Sequence, residues 1–430
     1  MDNILSISYL IVWILTFVWY HYRYHTLDGG TAIIGSYIIW AFISILTLND
    51  PFFAIMYEPL KVFPYIYLYM MLMMALSPTI YHHFHPTWKI KATPTRIYTL
   101  TAIVIIVCAI LQIPEIISNL GTGFMKLFTD PDAGKDAYLD MSIDTEDAGS
   151  VISNIPSIIY NSLADLSVFL FFFFVATKRS WKITIPLGFS TIISFLLPVF
   201  KGQRSGVIMS LFTFIVCYML FRRYLSKRVN RYVKIAGITV AIGALLPVAA
   251  ITLSRFDTRA TGVTGFVTWY AGQSSLYFNN YGLEAGGTRN GDRTFNLVKR
   301  LIWSDTPKNY IERRDKYHNL EIDDYYFTTF VGDFTIDFGP YIAVIIFVVF
   351  NAFILWKIRT NDDTIHDHQL LLLFLTQCIT MQGGMYLFNY ADTAGLQFLT
   401  NIMLYTYLVY HEKLSKVFPA ETNSTEIQES

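Results

Sequence analysis

Charge is what this 430-residue chain has little of: only 15% of its residues are Asp, Glu, Lys or Arg, against about 25% in an ordinary soluble domain. The 32 basic and 32 acidic residues cancel, so no net field points to nucleic acid as a partner. Cysteine is scarcer still. Cys108, Cys217 and Cys378 all fall inside apolar runs, which suits packed small hydrophobes better than disulfides or metal ligands. Internal repeats and low-complexity tracts are absent. A cleavable leader is not expected either, because the first apolar run, residues 4–20, carries Trp13 and Trp19 and no small-residue cleavage site.

Apolar length is abundant instead. Hydrophobic residues make up 53% of the chain, and runs long enough to cross ~30 Å of hydrocarbon as helices recur throughout. The expected fold class is an all-α polytopic membrane protein with about eleven spans. They fall near residues 4–20, 30–48, 62–80, 97–114, 153–176, 183–200, 205–221, 235–253, 333–356, 369–388 and 394–410. Counting alternate loops, one side collects 17 basic residues, six of them in RRYLSKRVNRYVK (222–234), while the short loops opposite hold five. The positive-inside bias therefore predicts an outer N-terminus and a cytoplasmic C-terminus.

Two outer segments stand out. Residues 115–152 hold eight acidic residues and two lysines and read as a solvated loop. Residues 254–332 are long, with ten basic and nine acidic residues and short amphipathic patches such as FNLVKRLIW. A loop of that length in a compact membrane protein is more often functional than filler.

The chemistry-bearing residues gather on this expected outer side. Lys201 and Arg204 sit in KGQR at the mouth of a hairpin, Arg255 and Arg259 in SRFDTRATG, Arg289 and Arg293 in GGTRNGDR. Guanidinium forks match phosphate oxygens two at a time and stay charged at any working pH. Arg204 starts a helix between Gly202 and Gly206, where freed N–H groups and the helix dipole add to its field. The bland alternative is that these cations snorkel to lipid phosphates. Acid–base candidates are Asp257, His318, Asp333 and Asp337; the last two lie four apart in GDFTIDFGPYI and share one helical face entering the ninth span. A cap and an ordinary partnered carboxylate would serve equally well there. HHFH (82–85) falls on the cytoplasmic side without Cys or carboxylate nearby, so an interfacial role outweighs metal binding. The acidic residues of 115–152 match no standard calcium loop.

GQRSG at a helix start, YFNNYGLEAGG in the long outer loop and the closing TFVGDFTIDFGPYIA together resemble the Wzy-type oligosaccharide repeat-unit polymerases of O-antigen and capsular polysaccharide. The resemblance covers essentially the whole chain through loose motifs. It implies a GT-C-like fold in the bacterial cytoplasmic membrane, with no metal, cofactor or nucleotide sugar. The implied reaction moves a glycan from undecaprenyl diphosphate onto a sugar hydroxyl of an incoming lipid-linked repeat, alongside a flippase and a chain-length regulator. Arg204 carries over as the likeliest diphosphate clamp and Arg255 and Arg259 less securely, while the resemblance assigns no acid–base residue; on the residues themselves Lys201, Arg259, Arg289 and Arg293 are substrate-binding candidates, and Asp337 and His318 are the catalytic ones beside the arginines. Two rival readings remain open: an O-antigen ligase using His318, the one histidine in 254–332, and a flippase or transporter. The latter calls for broken helices and buried charge, and Asp165 in the fifth span is the clear intramembrane charge. A purely structural anchor leaves the outer arginines unexplained.

Overall fold

A computed structural model describes residues 2–23, 25–93, 96–129, 151–200, 204–256, 262–308, 310–360, 363–386 and 392–417. The described chain is a bundle of helices with one two-stranded β pair. Its helices are α1 (Asp2–Arg23), α2 (Gly29–Asn49), the short α3 (Pro51–Ala54), α4 (Val62–Phe84), α5 (Ile97–Thr129), α6 (Val151–Ser162), α7 (Ala164–Ala176), α8 (Trp181–Phe200) and α9 (Arg204–Phe221). There follow α10 (Lys227–Phe256), α11 (Gly262–Tyr281), α12 (Asn296–Arg300), α13 (Tyr310–Lys316), α14 (Thr329–Phe338), α15 (Pro340–Ile358), α16 (Asp367–Gln382) and α17 (Asp392–Val417).

Among the described residues, eight helices are individually long and apolar enough to cross a membrane: α1, α2, α4, α5, α8, α9, α10 and α15. A ninth crossing is made if α6 and α7, bent by 57° at Leu163, act as one span. Helix α16, at 16 residues, reaches only about 24 Å, and the 26-residue α17 is more polar. Local signals set these ends. Asp28 caps α2 through a reciprocal pair with Thr31, its Oδ1 accepting the Thr31 N–H at 3.1 Å. Asp50 caps α3, with Pro51 at its first position.

The structure departs from the expected layout in three further places. The predicted ninth span, 333–356, is two helices, because Gly339 takes φ +82° and Pro340 restarts the chain as the first residue of α15. Asp333 and Asp337 therefore belong to the separate α14. Helix α5 continues to Thr129, well into the expected acidic loop, whose residues 130–150 lie outside those described. The long segment 254–332 contains α11, a 20-residue helix packed on the spanning helices α2 and α4. Gly272 permits this approach: a Cβ there would lie 2.9 Å from the Ile43 carbonyl.

Contacts between connections sort the chain into two ends. At one end Lys61 meets Asn279 and Glu284, and Leu297 packs on Gly395. At the other, Asp28 meets His83, Thr87 meets Tyr224, and Thr93 meets Asp367. There β1 (Lys89–Lys91) pairs in parallel with β2 (Thr364–His366). The connections bearing Lys89 and Lys91, Arg222 and Arg223, and Arg359 thus share an end, as the loop counting requires. The core runs through α16, where Phe374 meets Phe169 at 4.9 Å. Phe172, Phe173 and Phe174 of FLFFFFVA are buried too, and all three cysteines are free and buried.

Candidate functional site

The end of the bundle holding Lys61 also carries a folded segment between α11 and α15, residues 282–338. It is anchored by the two asparagines of YFNNYGLEAGG. Asn279 exchanges two 2.8 Å hydrogen bonds with the backbone N–H and C=O of Lys61, and Asn280 does the same with Glu58 at 3.2 and 3.1 Å. Primary amides reproduce a strand-like pairing in this way, fixing the end of α11 against the start of α4.

Beyond α11 the chain turns through Asn290 (φ +51°) and Gly291 (φ +81°), and the Arg289 N–H bonds to the Ile336 carbonyl at 3.0 Å. That stitch lays GGTRNGDR along α14. Arg289 Nε sits 2.8 Å from Asp337, and Arg293 Nε 3.0 Å from Asp333. Asp324 completes the group. Its carboxylate takes Arg293 Nη1 at 2.8 Å, Arg313 Nε at 2.5 Å and a further contact from Arg289 Nη1. Asp337 accepts the Thr294 N–H at 2.7 Å and its hydroxyl at 2.5 Å. Three guanidiniums and three carboxylates, all essentially buried, thus balance one another. Beside them Asp292 holds Lys299 and, at 2.9 Å, Lys316, while the Tyr317 hydroxyl reaches Asp292 at 2.6 Å.

The electrostatics follow from this geometry. Burial by itself would raise the Asp324 carboxyl, but the charges of Arg293, Arg289 and Arg313 outweigh it and hold Asp324 well below the usual carboxylate range. Asp292 is likewise lowered: burial raises it, and hydrogen bonds from Lys299, Tyr317 and Lys316 more than reverse that. Burial pulls Arg313 below its ordinary value in spite of Asp324, yet a guanidinium that starts above 12 keeps its charge. Buried charges survive only when paired and hydrogen-bonded in this manner.

The sequence-predicted residues distribute as follows. Arg289, Arg293, Asp333 and Asp337 are brought into one network. In it the two arginines face carboxylates, and Asp337 faces an arginine and a threonine. His318 lies apart, exposed, with Nδ1 2.8 Å from the Asp315 carbonyl. Arg204 is the first residue of α9 and Arg255 the penultimate residue of α10. These two helices form a hairpin in which Val207 shares a cluster with Ala244 and Val248, so both arginines lie toward the same end. Lys201, Asp257 and Arg259 lie outside the described residues. The rings of HHFH serve separate partners: His83 meets Asp28 at 2.7 Å and stacks on Tyr20, His82 meets Thr87, and His85 meets the Tyr81 carbonyl. Arg313 and Asp324 were not legible as site residues, since each is one charge among many in a mixed-charge segment with no periodic pattern.

No family model, curated protein or solved structure matches this chain. Functional argument therefore rests on the site itself. A charge-balanced, buried network is suited to holding 282–338 rigidly against the bundle. An anion-binding surface needs guanidiniums that are not already neutralised.

A second polar site lies inside the bundle. Asp165, in the first turn of α7 just past the 57° bend, accepts from the Thr213 hydroxyl at 2.8 Å. The Gln382 amide reaches the same hydroxyl at 2.8 Å and the carboxylate at 3.4 Å.

Proposed function

We propose that this chain is a membrane glycosyltransferase of the repeat-unit polymerase type, acting on lipid-diphosphate-linked saccharides at the bundle end that carries 282–338. The observation that carries the reading is the convergence of arginine-bearing elements on that one end: the start of α9 with Arg204, the end of α10 with Arg255, and the arginine-rich folded segment. By lysine and arginine bias it is the outer end, where a lipid-linked donor and acceptor meet.

In this reading Arg204 and Arg255 neutralise the donor diphosphate. Negative charge grows on the leaving diphosphate as the glycosidic bond breaks, and a fixed guanidinium that tightens as it grows lowers the barrier. Arg289, Arg293 and Arg313 hold the segment in shape instead of touching phosphate. The test is lipid-linked repeat polymerisation read as a polysaccharide ladder. Arg204→Ala removes the ladder while the protein still inserts, and Arg204→Lys falls well short of wild type because it loses the two-point fork. A normal ladder from Arg204→Ala sinks the assignment.

A flippase or transporter is the second reading, favoured by one observation: the helix pair bent at Leu163 beside the partly buried Asp165. Buried intramembrane charge next to a helix break is a mark of transport pathways. In vesicles, Asp165→Asn abolishing translocation of a lipid-linked saccharide in a protein that makes no polymer would favour it.

A further inference from the structure

At the opposite end of the bundle, far in sequence from the arginines, two histidines and a glutamate converge from separate elements. His366 closes β2, His368 lies in the first turn of α16, and Glu412 comes from near the end of α17. The spacing of two between the histidines turns both rings toward α17. His366 Nδ1 lies 3.2 Å from Glu412 Oε1, and His368 Nδ1 lies 3.1 Å from Glu412 Oε2. All three ligand atoms fall within 4.8 Å of one another.

We propose that these residues form a site for a divalent transition ion of the zinc class, which pins α17 to the β1–β2 pair. Three observations support it. The nitrogen–oxygen separations suit an ion: with metal–nitrogen and metal–oxygen bonds of about 2.0–2.1 Å, neighbouring ligands of a tetrahedral ion stand about 3.3 Å apart, against 3.2 and 3.1 Å from each ring to its own Glu412 oxygen. The donors are right, two imidazole nitrogens and a carboxylate being borderline ligands that suit zinc, cobalt or nickel over calcium or magnesium. The third observation is that His368 Nδ1 is buried and makes no hydrogen bond of acceptable geometry. Neighbouring groups contact the same ligands, and the His366 side chain also accepts the Gln369 backbone N–H in a capping box. Gln369 Oε1 accepts the His366 N–H at 3.0 Å, and its amide reaches the Lys357 carbonyl at 2.9 Å. The Asp367 carboxylate accepts the Thr93 N–H and hydroxyl at 2.7 and 2.8 Å, and one of its oxygens lies 3.8 Å from His368 Nδ1. Such outer partners fix ring orientation in metal sites. His366 and Glu412 keep partial exposure, which leaves the fourth position to water.

The experiment uses the full-length protein in detergent, stripped with a chelator, dialysed, and titrated with Co²⁺ and with Zn²⁺. Expected are one equivalent of Co²⁺ with the visible absorption of a four-coordinate ion, displacement by Zn²⁺, and a Zn²⁺-dependent rise in the melting midpoint. Glu412→Gln, which keeps the shape but exchanges one acceptor oxygen for an amide N–H group, and His368→Ala should each weaken binding about 100-fold or more, the upper end of what losing even an outer partner does. Both should abolish the rise in midpoint. Failure of wild type to take up Co²⁺ beyond the His366→Ala/His368→Ala double variant overturns the proposal and leaves an imidazole–carboxylate clamp. So does Glu412→Gln binding as tightly as wild type.

Discussion

Asp324→Asn is the sharpest test of the buried charge network. The substitution keeps the volume and removes one charge from a site where Asp324 contacts Arg289, Arg293 and Arg313 together. Three guanidiniums then face two carboxylates, and the new amide turns N–H groups toward cations. Breaking a buried pair in this way costs about 3–5 kcal/mol. Counting the 2.5 and 2.8 Å contacts as two charge-assisted hydrogen bonds of about 1.5–3 kcal/mol each gives a similar figure. At 1.36 kcal/mol per decade, local opening of 282–338 should rise by roughly two to four decades. Trypsin cleavage at exposed Arg314 reads that opening directly when reclosing outpaces cutting, and a melting midpoint in detergent reads it globally. The double variant Asp324→Asn/Arg313→Gln restores two charges against two and should recover part of the loss. A cleavage rate within threefold of wild type for Asp324→Asn would refute the view that this network holds the segment.

Acid should act on the same group. Asp324 is held low in the folded state, so its contribution to stability is full above the ordinary carboxylate pKa of about 3.9 and drains away as pH falls below it; melting midpoints from pH 7 to 3 should fall more steeply for wild type than for Asp324→Asn. Gly291→Ala puts a side chain at φ +81° and 2.9 Å from the Phe338 ring, and should destabilise by about 1–3 kcal/mol, read by the same proteolysis. Arg204→Ala should leave cleavage and midpoint unchanged while the ladder disappears, whereas Arg289→Ala should lose both, which separates a phosphate clamp from a scaffold. Topology is testable because the native cysteines are buried: an impermeant thiol reagent should label His318→Cys in intact cells and spare Ser226→Cys, and the reverse pattern would invert the orientation.

Much of the membrane architecture was legible in the residues alone, because a spanning helix is a local property. Apolar length over about 20 residues is enough to recognise one, and α1, α2, α4 and α9 needed no neighbour to be identified. The same locality explains the errors. Reading 333–356 as one span overlooked what Gly339–Pro340 does to a helix. Treating 254–332 as a loop missed α11, whose polar content is compatible with packing on α2 only once Gly272 lets the backbones approach. Charge pairing was decided by tertiary structure. Nothing local joins Arg313 to Asp324 or Arg289 to Asp337, and an arginine offered to phosphate reads the same as one offered to a buried carboxylate. His366 and His368 likewise become a pair of candidate ligands only when α17 brings Glu412 between them. Sequence determined which segments must leave water; the folded chain alone determined which buried charges would meet, because Coulomb energy depends on distance in space and not along the chain.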